Sequence, residues 1–140
     1  MSTTAFKVVI DTNIFITIIG KKSPFRWIFD AILDGKLILC VSNSILLEYR
    51  EILERKNGVE VAENILNFLA VYPFVEKFDI HFNLDLIPED KDDNKFTDCA
   101  FASGSILISN DNHFNALSQI NFPKITRLTI DEFYQFWKFK

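Results

Sequence analysis

The sequence predicts an α/β fold of three layers, α/β/α, in which helices cover both faces of a central parallel sheet of four or five strands. Short runs of continuously apolar residues alternate with segments whose apolar residues recur at helical spacing. Such strands are typical of a parallel sheet that is buried on both faces. The chain is 49% hydrophobic and has only four glycines and four prolines. We therefore expect residues 1–140 to form a single folded domain.

The first half of the chain is predicted to contain two buried strands and four helices. The first strand ends at Asp11, and Gly20 stops the short helix that follows it. Ser23 and Pro24 have the pattern of an N-cap followed by proline at the first helical position, and Ser42 or the next residue can cap the third helix. The predicted strands are residues 6–10 and 37–41, and the predicted helices are residues 13–19, 24–33, 45–53 and 59–70.

The second half continues this alternation with three strands and three helices. A weak strand is followed by a polar loop at residues 81–92. Right-handed crossover connections would place the C-terminal ends of all strands at one edge of the sheet, where ligands bind in open α/β sheets. The predicted strands are residues 75–80, 106–109 and 125–128, and the predicted helices are residues 93–103, 112–117 and 131–137.

Three aspartates are expected at that edge of the sheet. Asp11 directly follows the first strand, and Asp111 follows the strand at residues 106–109. Asp93 begins the helix that leads into that strand, three residues before Phe96 on the apolar stripe. Each aspartate could instead be a simple turn or helix-capping residue, because aspartate is common at both kinds of position.

Glu48 is a fourth candidate, on the third helix. It borders the apolar face formed by Ile45, Tyr49 and Ile52, whereas Glu51 lies on the polar side. A glutamate that points toward a core needs a partner, although a solvated position is the alternative. Four carboxylates brought together would repel one another, and a divalent cation would relieve that repulsion. Oxygen ligands without a supporting His or Cys cluster suit Mg²⁺ or Mn²⁺, which can activate water for phosphodiester hydrolysis.

Four segments resemble, in order and spacing, the motifs of the PIN domain family. VVIDTNIFI (residues 8–16) is similar to its opening strand and first motif, and VSNSILLEYREIL (residues 41–53) to its acidic helix. DKDDNKFTDCAFASGSILISND (residues 90–111) is similar to the third and fourth motifs. The resemblance covers about residues 6–135 and is strongest to the PIN toxins of bacterial toxin–antitoxin systems.

The resemblance implies a metal-dependent endoribonuclease with a PIN-like fold. The spacing of 18 residues between Asp93 and Asp111 matches the family. Asp98 is a weaker metal-ligand candidate, since it lies five residues beyond Asp93 and is turned away from the same face of the helix. The implied metal-binding and catalytic acids, holding Mg²⁺ or Mn²⁺, are Asp11, Glu48, Asp93 and Asp111. The implied supporting residues are Thr12 and Asn13 in the first loop and Ser109 with its hydroxyl.

The resemblance also implies partners: an RNA substrate and an antitoxin protein that holds the enzyme inactive. A C-terminal run of aromatic residues from Phe133 to Phe139 exceeds what one helix face can bury, so it packs in the core or on a second subunit or antitoxin. We expect a homodimer or higher oligomer. Two rival functions remain open, a receiver-like phosphotransfer domain and a catalytically silent PIN module that serves as a binding scaffold.

The remaining features are less specific. Cys40 and Cys99 suit buried free thiols in a reducing cytoplasm. No segment has the pattern of a membrane span or a signal peptide, and the net charge of −4 does not by itself predict binding to nucleic acid. His81 and His113 are too few and too scattered to form a metal cluster. His113, near Asp111, is interpreted as a surface loop residue, with contact to the substrate as the alternative, and Lys95 as either a phosphate contact or a solvated side chain.

Overall fold

The computed structural model describes residues 5–139, and a parallel five-stranded sheet lies at its centre. The strands are β1 (Phe6–Ile10), β2 (Leu37–Val41), β3 (Val75–Lys77), β4 (Ile106–Ile108) and β5 (Arg127–Leu128). Their order in the sheet is β3-β2-β1-β4-β5, and all four neighbouring pairs are parallel. The predicted three-layer α/β/α architecture with a sheet of four or five parallel strands is confirmed.

In the described part of the chain, six α-helices pack around this sheet. They are α1 (Thr12–Ile18), α2 (Arg26–Leu33), α3 (Asn43–Asn57), α4 (Val59–Val71), α5 (Asn94–Ser103) and α6 (Ile130–Lys138). Two 3₁₀ segments, Lys91–Asp93 and Asn112–Gln119, lie before α5 and after β4. Within residues 5–139, no helix combines the length and the apolar character that crossing a membrane requires.

Strand β1 is the central strand and is bonded on both sides. Val8 is in register with Leu39 of β2 and with Ile106 of β4. Its last three residues, from Val8 to Ile10, are completely buried, which explains why this strand is continuously apolar. The strands β2 and β3 lie on one side of β1, and β4 and β5 lie on the other. Because the chain reverses this direction between β1 and β4, the residues after these two strands meet at one edge of the sheet.

Helix α3 is locked to the end of β1 through Tyr49. The Tyr49 ring stacks on Phe15 of α1 with the ring centroids 4.2 Å apart, and its hydroxyl donates a hydrogen bond to the carbonyl of Ile10 at 2.5 Å. The hydroxyl of Ser42 accepts the N–H of Ile45 and caps the helix, as the sequence predicts. These contacts hold Glu48, which precedes Tyr49, beside the residue that follows β1.

Several predicted element boundaries were wrong by a few residues. Helix α2 begins at Arg26, because the hydroxyl of Ser23 accepts the N–H of Phe25 and closes a turn before the helix. Strand β3 ends at Lys77 rather than at residue 80, and β5 has only two residues. The segment after Asp111 is a 3₁₀ helix that extends to Gln119, not a short α-helix.

The C-terminal helix α6 begins with a capping box, which was not predicted from the sequence. The hydroxyl of Thr129 accepts the N–H of Glu132, and the carboxylate of Glu132 accepts the N–H of Thr129. On this helix Phe133 is buried and stacks on Trp27, whereas Tyr134 is exposed, as is Phe139 directly after the helix. The predicted excess of aromatic residues is therefore divided between the core and the surface.

Candidate active site

The four predicted acids come from four different elements near the C-terminal edge of the sheet. Asp11 follows β1, Glu48 lies on α3, Asp93 ends the 3₁₀ turn before α5, and Asp111 lies three residues after β4. The simple capping explanation does not apply to Asp11 or Asp93, because neither side chain makes a cap hydrogen bond at the start of its helix. Asp111 does cap the 3₁₀ helix that it precedes.

Asp11 is buried and its carboxylate is hydrogen-bonded from the fourth motif. The hydroxyl of Ser109 donates to Oδ2 of Asp11 at 2.6 Å, and the residue is only 8% exposed. Burial raises the pKa of the Asp11 carboxyl, and the negative charges of Glu48 and Asp111 add to that effect. The hydrogen bonds from Ser109 and the backbone of Thr12 lower the same pKa and so favour the ionised form.

Ser109 connects two of the acids through one hydroxyl group. Its Oγ donates to Asp11 and accepts the backbone N–H of Asp111 at 3.0 Å. Asp111 in turn accepts the backbone N–H of His113 at 2.9 Å. The loop after β4 is therefore fixed to the end of β1 by side-chain contacts.

Glu48 has the partners that its position on the edge of an apolar face requires. The hydroxyl of Thr12 donates to Oε2, and Nζ of Lys95 lies 2.6 Å from Oε1. Both charged side chains are largely shielded, at 24% and 19% exposure. Thr12 thus contacts the acid cluster directly, whereas the side chain of Asn13 is exposed on α1.

Asp93 is held by a histidine and surrounded by other carboxylates. Nδ1 of His113 lies 3.0 Å from Oδ2 of Asp93. Burial and, to a smaller extent, the charges of Asp90, Asp111 and Asp11 raise the pKa of the Asp93 carboxyl to about 6, although the contact with His113 acts in the opposite direction. Asp11, Asp93 and Asp111 therefore act on one another, and Glu48 joins them through Asp11.

Asp98 is occupied by a different contact. Its carboxylate is buried and accepts the backbone N–H of Leu84 at 3.1 Å. Burial is the main cause that raises the pKa of Asp98, and the charge of Asp85 raises it as well. This contact holds the loop before the 3₁₀ turn against α5. A metal-binding role for Asp98 stays an untested prediction.

Two residues near the acids, His113 and Lys95, make contacts that the sequence did not predict. His113, interpreted as a surface loop residue, has its Nδ1 3.7 Å from Asp90, 3.0 Å from Asp93 and 3.4 Å from Asp111. The side chain is 41% exposed, in agreement with a surface position. The expectation that the histidines are too scattered for a metal cluster was wrong for His113, because its ring shares a group of possible metal ligands with Asp90 and Asp93. The sequence allowed Lys95 to be either a phosphate contact or a solvated side chain. In the structure its ammonium group pairs with Glu48.

The donor groups fit a divalent cation. The carboxylates are close enough to oppose one another's ionisation, and oxygen donors of this kind suit hard cations. Asp90, Asp93 and His113 each offer one donor atom, and these atoms lie within 4.8 Å of one another. Both cysteines are buried in the hydrophobic core, so the donors here are oxygen and imidazole nitrogen.

Fold and site together define a parallel α/β domain with a carboxylate cluster at the C-terminal edge of its sheet. The family model of the PIN domain matches residues 7–113, which is more than half of the chain. The chain therefore belongs to the PIN domain family. The receiver-like alternative is wrong, since that fold has the strand order 2-1-3-4-5 and this sheet runs 3-2-1-4-5.

The chain is similar to one curated archaeal protein and to several solved structures. It is 33% identical over 122 residues to the uncharacterized protein MJ1680 of Methanocaldococcus jannaschii, covering 82% of this chain and 77% of that protein. It resembles VapBC2 of Rickettsia felis bound to a promoter DNA fragment, with a TM-score of 0.61, 17% identity and coverage of 89% of this chain and 98% of that chain.

A second toxin structure gives the same result. The chain resembles VapC20 of Mycobacterium tuberculosis, a toxin that cleaves the sarcin–ricin loop, with a TM-score of 0.56 and 14% identity over 78% of this chain and 93% of that chain. At these identities the similarity shows a shared fold.

Proposed function

We propose that this protein is a Mg²⁺- or Mn²⁺-dependent endoribonuclease that hydrolyses phosphodiester bonds in single-stranded RNA. The observation that supports the proposal most is that two buried carboxyls face further acids: Glu48 and Asp111 raise the pKa of Asp11, and Asp90, Asp111 and Asp11 raise that of Asp93. Buried like charges are costly, and proteins keep them where a cation or a reaction needs them. PIN domains are in general nucleases, which agrees with this assignment.

In this mechanism the acids hold the cation and the surrounding residues keep the acids ionised and in place. When bound, the metal would lower the pKa of water and stabilise charge on the phosphoryl group. Ser109 favours the ionised form of Asp11 through its hydrogen bond. Thr12 and Lys95 orient the two oxygens of Glu48, and the Lys95 ammonium provides positive charge next to the acids, where a phosphate would arrive.

The direct test compares matched variants in an RNA-cleavage assay. Purified protein is incubated with a mixed single-stranded RNA pool in Mn²⁺, Mg²⁺ or EDTA. We expect Asp11→Asn and Asp93→Asn to reduce cleavage by about a hundredfold or more, as loss of a metal-site group does. Asp92→Asn is the control, because Asp92 is exposed beside Asp93. Cleavage that persists in EDTA or in Asp11→Asn would refute the assignment.

The same preparation separates the enzyme from a catalytically silent scaffold. Retained RNA binding without metal-dependent cleavage in the wild type would favour the scaffold. Parallel reactions with single-stranded DNA and double-stranded RNA define the substrate class. Cleavage of either at the rate of single-stranded RNA would contradict the substrate that we propose.

We further propose that the protein is the toxin of a toxin–antitoxin pair in the cytoplasm and that it forms a homodimer or higher oligomer. The similarity of its fold to VapBC toxins supports this role. A neighbouring reading frame that encodes a small DNA-binding protein should suppress the toxicity of this chain when the two are co-expressed. Growth arrest that the neighbour does not relieve would count against the role.

A further inference from the structure

We infer that His113 is a nitrogen ligand of the metal centre and that it makes the centre prefer Mn²⁺ to Mg²⁺. This inference rests on the proposed function, because it concerns the cation that the acids would hold. It goes beyond that function by naming which cation the site selects and which residue selects it.

The first argument is the position of the imidazole nitrogen. Nδ1 of His113 lies 3.0 Å from Oδ2 of Asp93, 3.4 Å from Oδ1 of Asp111 and 3.7 Å from Oδ2 of Asp90. Neighbouring donors around an octahedral cation with bonds of about 2.1 Å are about 3 Å apart. Nδ1 of His113 and Oδ2 of Asp93 therefore have the spacing of neighbouring ligands of one ion, and the donor atoms of Asp90, Asp93 and His113 all lie within 4.8 Å of one another.

The second argument is that the backbone holds the ring there. Asp111 accepts the N–H of His113 at 2.9 Å, and the carbonyl of Asp111 accepts the N–H of Phe114 at 3.2 Å. Phe114 is only 1% exposed, so the residue after His113 is anchored in the core. The imidazole is thus presented to the acids by an anchored turn.

The third argument is chemical selectivity. Imidazole is a good ligand for first-row transition metals, whereas Mg²⁺ prefers oxygen donors and retains water. A site built only of carboxylates discriminates weakly between Mg²⁺ and Mn²⁺. Replacing one oxygen donor by a nitrogen donor strengthens Mn²⁺ binding relative to Mg²⁺ binding.

A different role for His113 makes an opposite prediction. If the ring served only as a positive counter-charge to the acids, its removal would free the carboxylates and strengthen binding of both cations alike. If the ring is a ligand, its removal weakens Mn²⁺ binding much more than Mg²⁺ binding. The ratio of the two affinities therefore separates the roles without any measurement of activity.

The experiment titrates Mn²⁺ and Mg²⁺ separately into the full chain by calorimetry. The variants are His113→Gln and, as the matched control, His81→Gln, because His81 is the other histidine and is exposed. We expect His113→Gln to weaken Mn²⁺ binding by about tenfold or more, the lower end of what loss of a metal-site partner costs. Mg²⁺ binding should change by less than about threefold, and His81→Gln should match the wild type.

Electron spin-echo spectroscopy of bound Mn²⁺ gives a second, direct readout. Nitrogen coupling should be present in the wild type and in His81→Gln and absent in His113→Gln. Mn²⁺ binding without nitrogen coupling in the wild type, or an unchanged ratio of affinities in His113→Gln, would overturn the inference while leaving the proposed function intact. A wild-type protein that binds neither cation would overturn both.

Discussion

At the residue scale, the hydroxyl of Ser109 joins two acids that are far apart in the chain. It donates to Asp11 and accepts from the backbone of Asp111, and both contacts need the same oxygen atom. An alanine at this position would leave a buried carboxylate and a backbone N–H without this partner. The unpaired groups are expected to lower the stability of the protein. Loss of the hydrogen bond is expected to raise the pKa of Asp11, because this bond lowers it in the wild type.

We therefore expect Ser109→Ala to lower the free energy of unfolding by about 1–3 kcal/mol. Mn²⁺ affinity should also fall, because the variant favours protonated Asp11. Chemical denaturation and calorimetry measure the two quantities. Ser118→Ala, which removes an exposed hydroxyl, serves as the control. Wild-type Mn²⁺ affinity in Ser109→Ala would show that the hydroxyl does not support the acids.

Lys95 carries a second prediction, since it is a cation already paired with Glu48. Its removal should strengthen Mn²⁺ binding about two- to fivefold, the effect of a partly exposed ion pair of up to about 1 kcal/mol. The same change should weaken binding of RNA, a polyanion. Lys95→Gln is compared with Lys91→Gln, a change at an exposed lysine. If the two variants bind Mn²⁺ equally, the Lys95–Glu48 pair does not compete with the metal.

The sequence indicated the four acids more readily than their partners for a physical reason. The position of Asp11 follows from a buried strand, and that of Glu48 from the border of a helix face, and both features are periodic patterns. His113 and Lys95 reach the acids through one 3₁₀ turn and one long side chain. Those contacts depend on torsion angles that hydrophobic periodicity does not encode, so they became visible only in three dimensions.

At the element scale, α5 supports the loop that precedes it through two polar side chains. Asn94 exchanges two hydrogen bonds with the backbone of Ile87, and Asp98 accepts the N–H of Leu84. Strands and helices were predicted well because they are continuously or periodically apolar. The segment at residues 81–92 was predicted as a loop, but its conformation was not, since it depends on these individual hydrogen bonds.

We expect the variants Asp98→Asn and Asp98→Ala to distinguish a structural role of Asp98 from a role in metal binding. Asp98→Asn keeps an acceptor for the Leu84 N–H and removes a buried charge, so the stability of the metal-free protein should be unchanged or higher. Asp98→Ala leaves that N–H unpaired and should cost about 1–3 kcal/mol. Neither change should alter Mn²⁺ affinity in calorimetry. A loss of Mn²⁺ binding in Asp98→Asn would instead make Asp98 part of the metal centre.

At the scale of the whole molecule, the acid cluster opposes folding when no metal is bound. Burial raises the pKa of Asp93 to about 6, above the ordinary value of 3.8, so the folded state binds more protons than the unfolded chain between these pH values. Stability then falls as pH rises through that window. The contact with Asp93 also raises the pKa of His113, which acts in the same direction at slightly higher pH.

The metal-free protein should therefore have a higher melting temperature at pH 4.5 than at pH 7.5. This difference should be smaller in Asp93→Asn and smaller again with saturating Mn²⁺, because the cation then compensates the carboxylates. A cation present at a hundred times its dissociation constant should add about 2.7 kcal/mol. Differential scanning calorimetry at both pH values measures these effects. An Asp93→Asn variant with the full wild-type pH dependence would contradict them.

The central position of β1 has a consequence for the synthesis of this protein. The contact between Asp11 and Ser109 joins residues 98 positions apart, and β1 acquires its neighbour β4 only after α5 has been made. A nascent chain that ends before Ser109 therefore has no assembled cluster of acids. The cluster therefore assembles only when the segment through Asp111 has left the ribosome, so shorter nascent chains lack the arrangement on which the proposed metal binding depends.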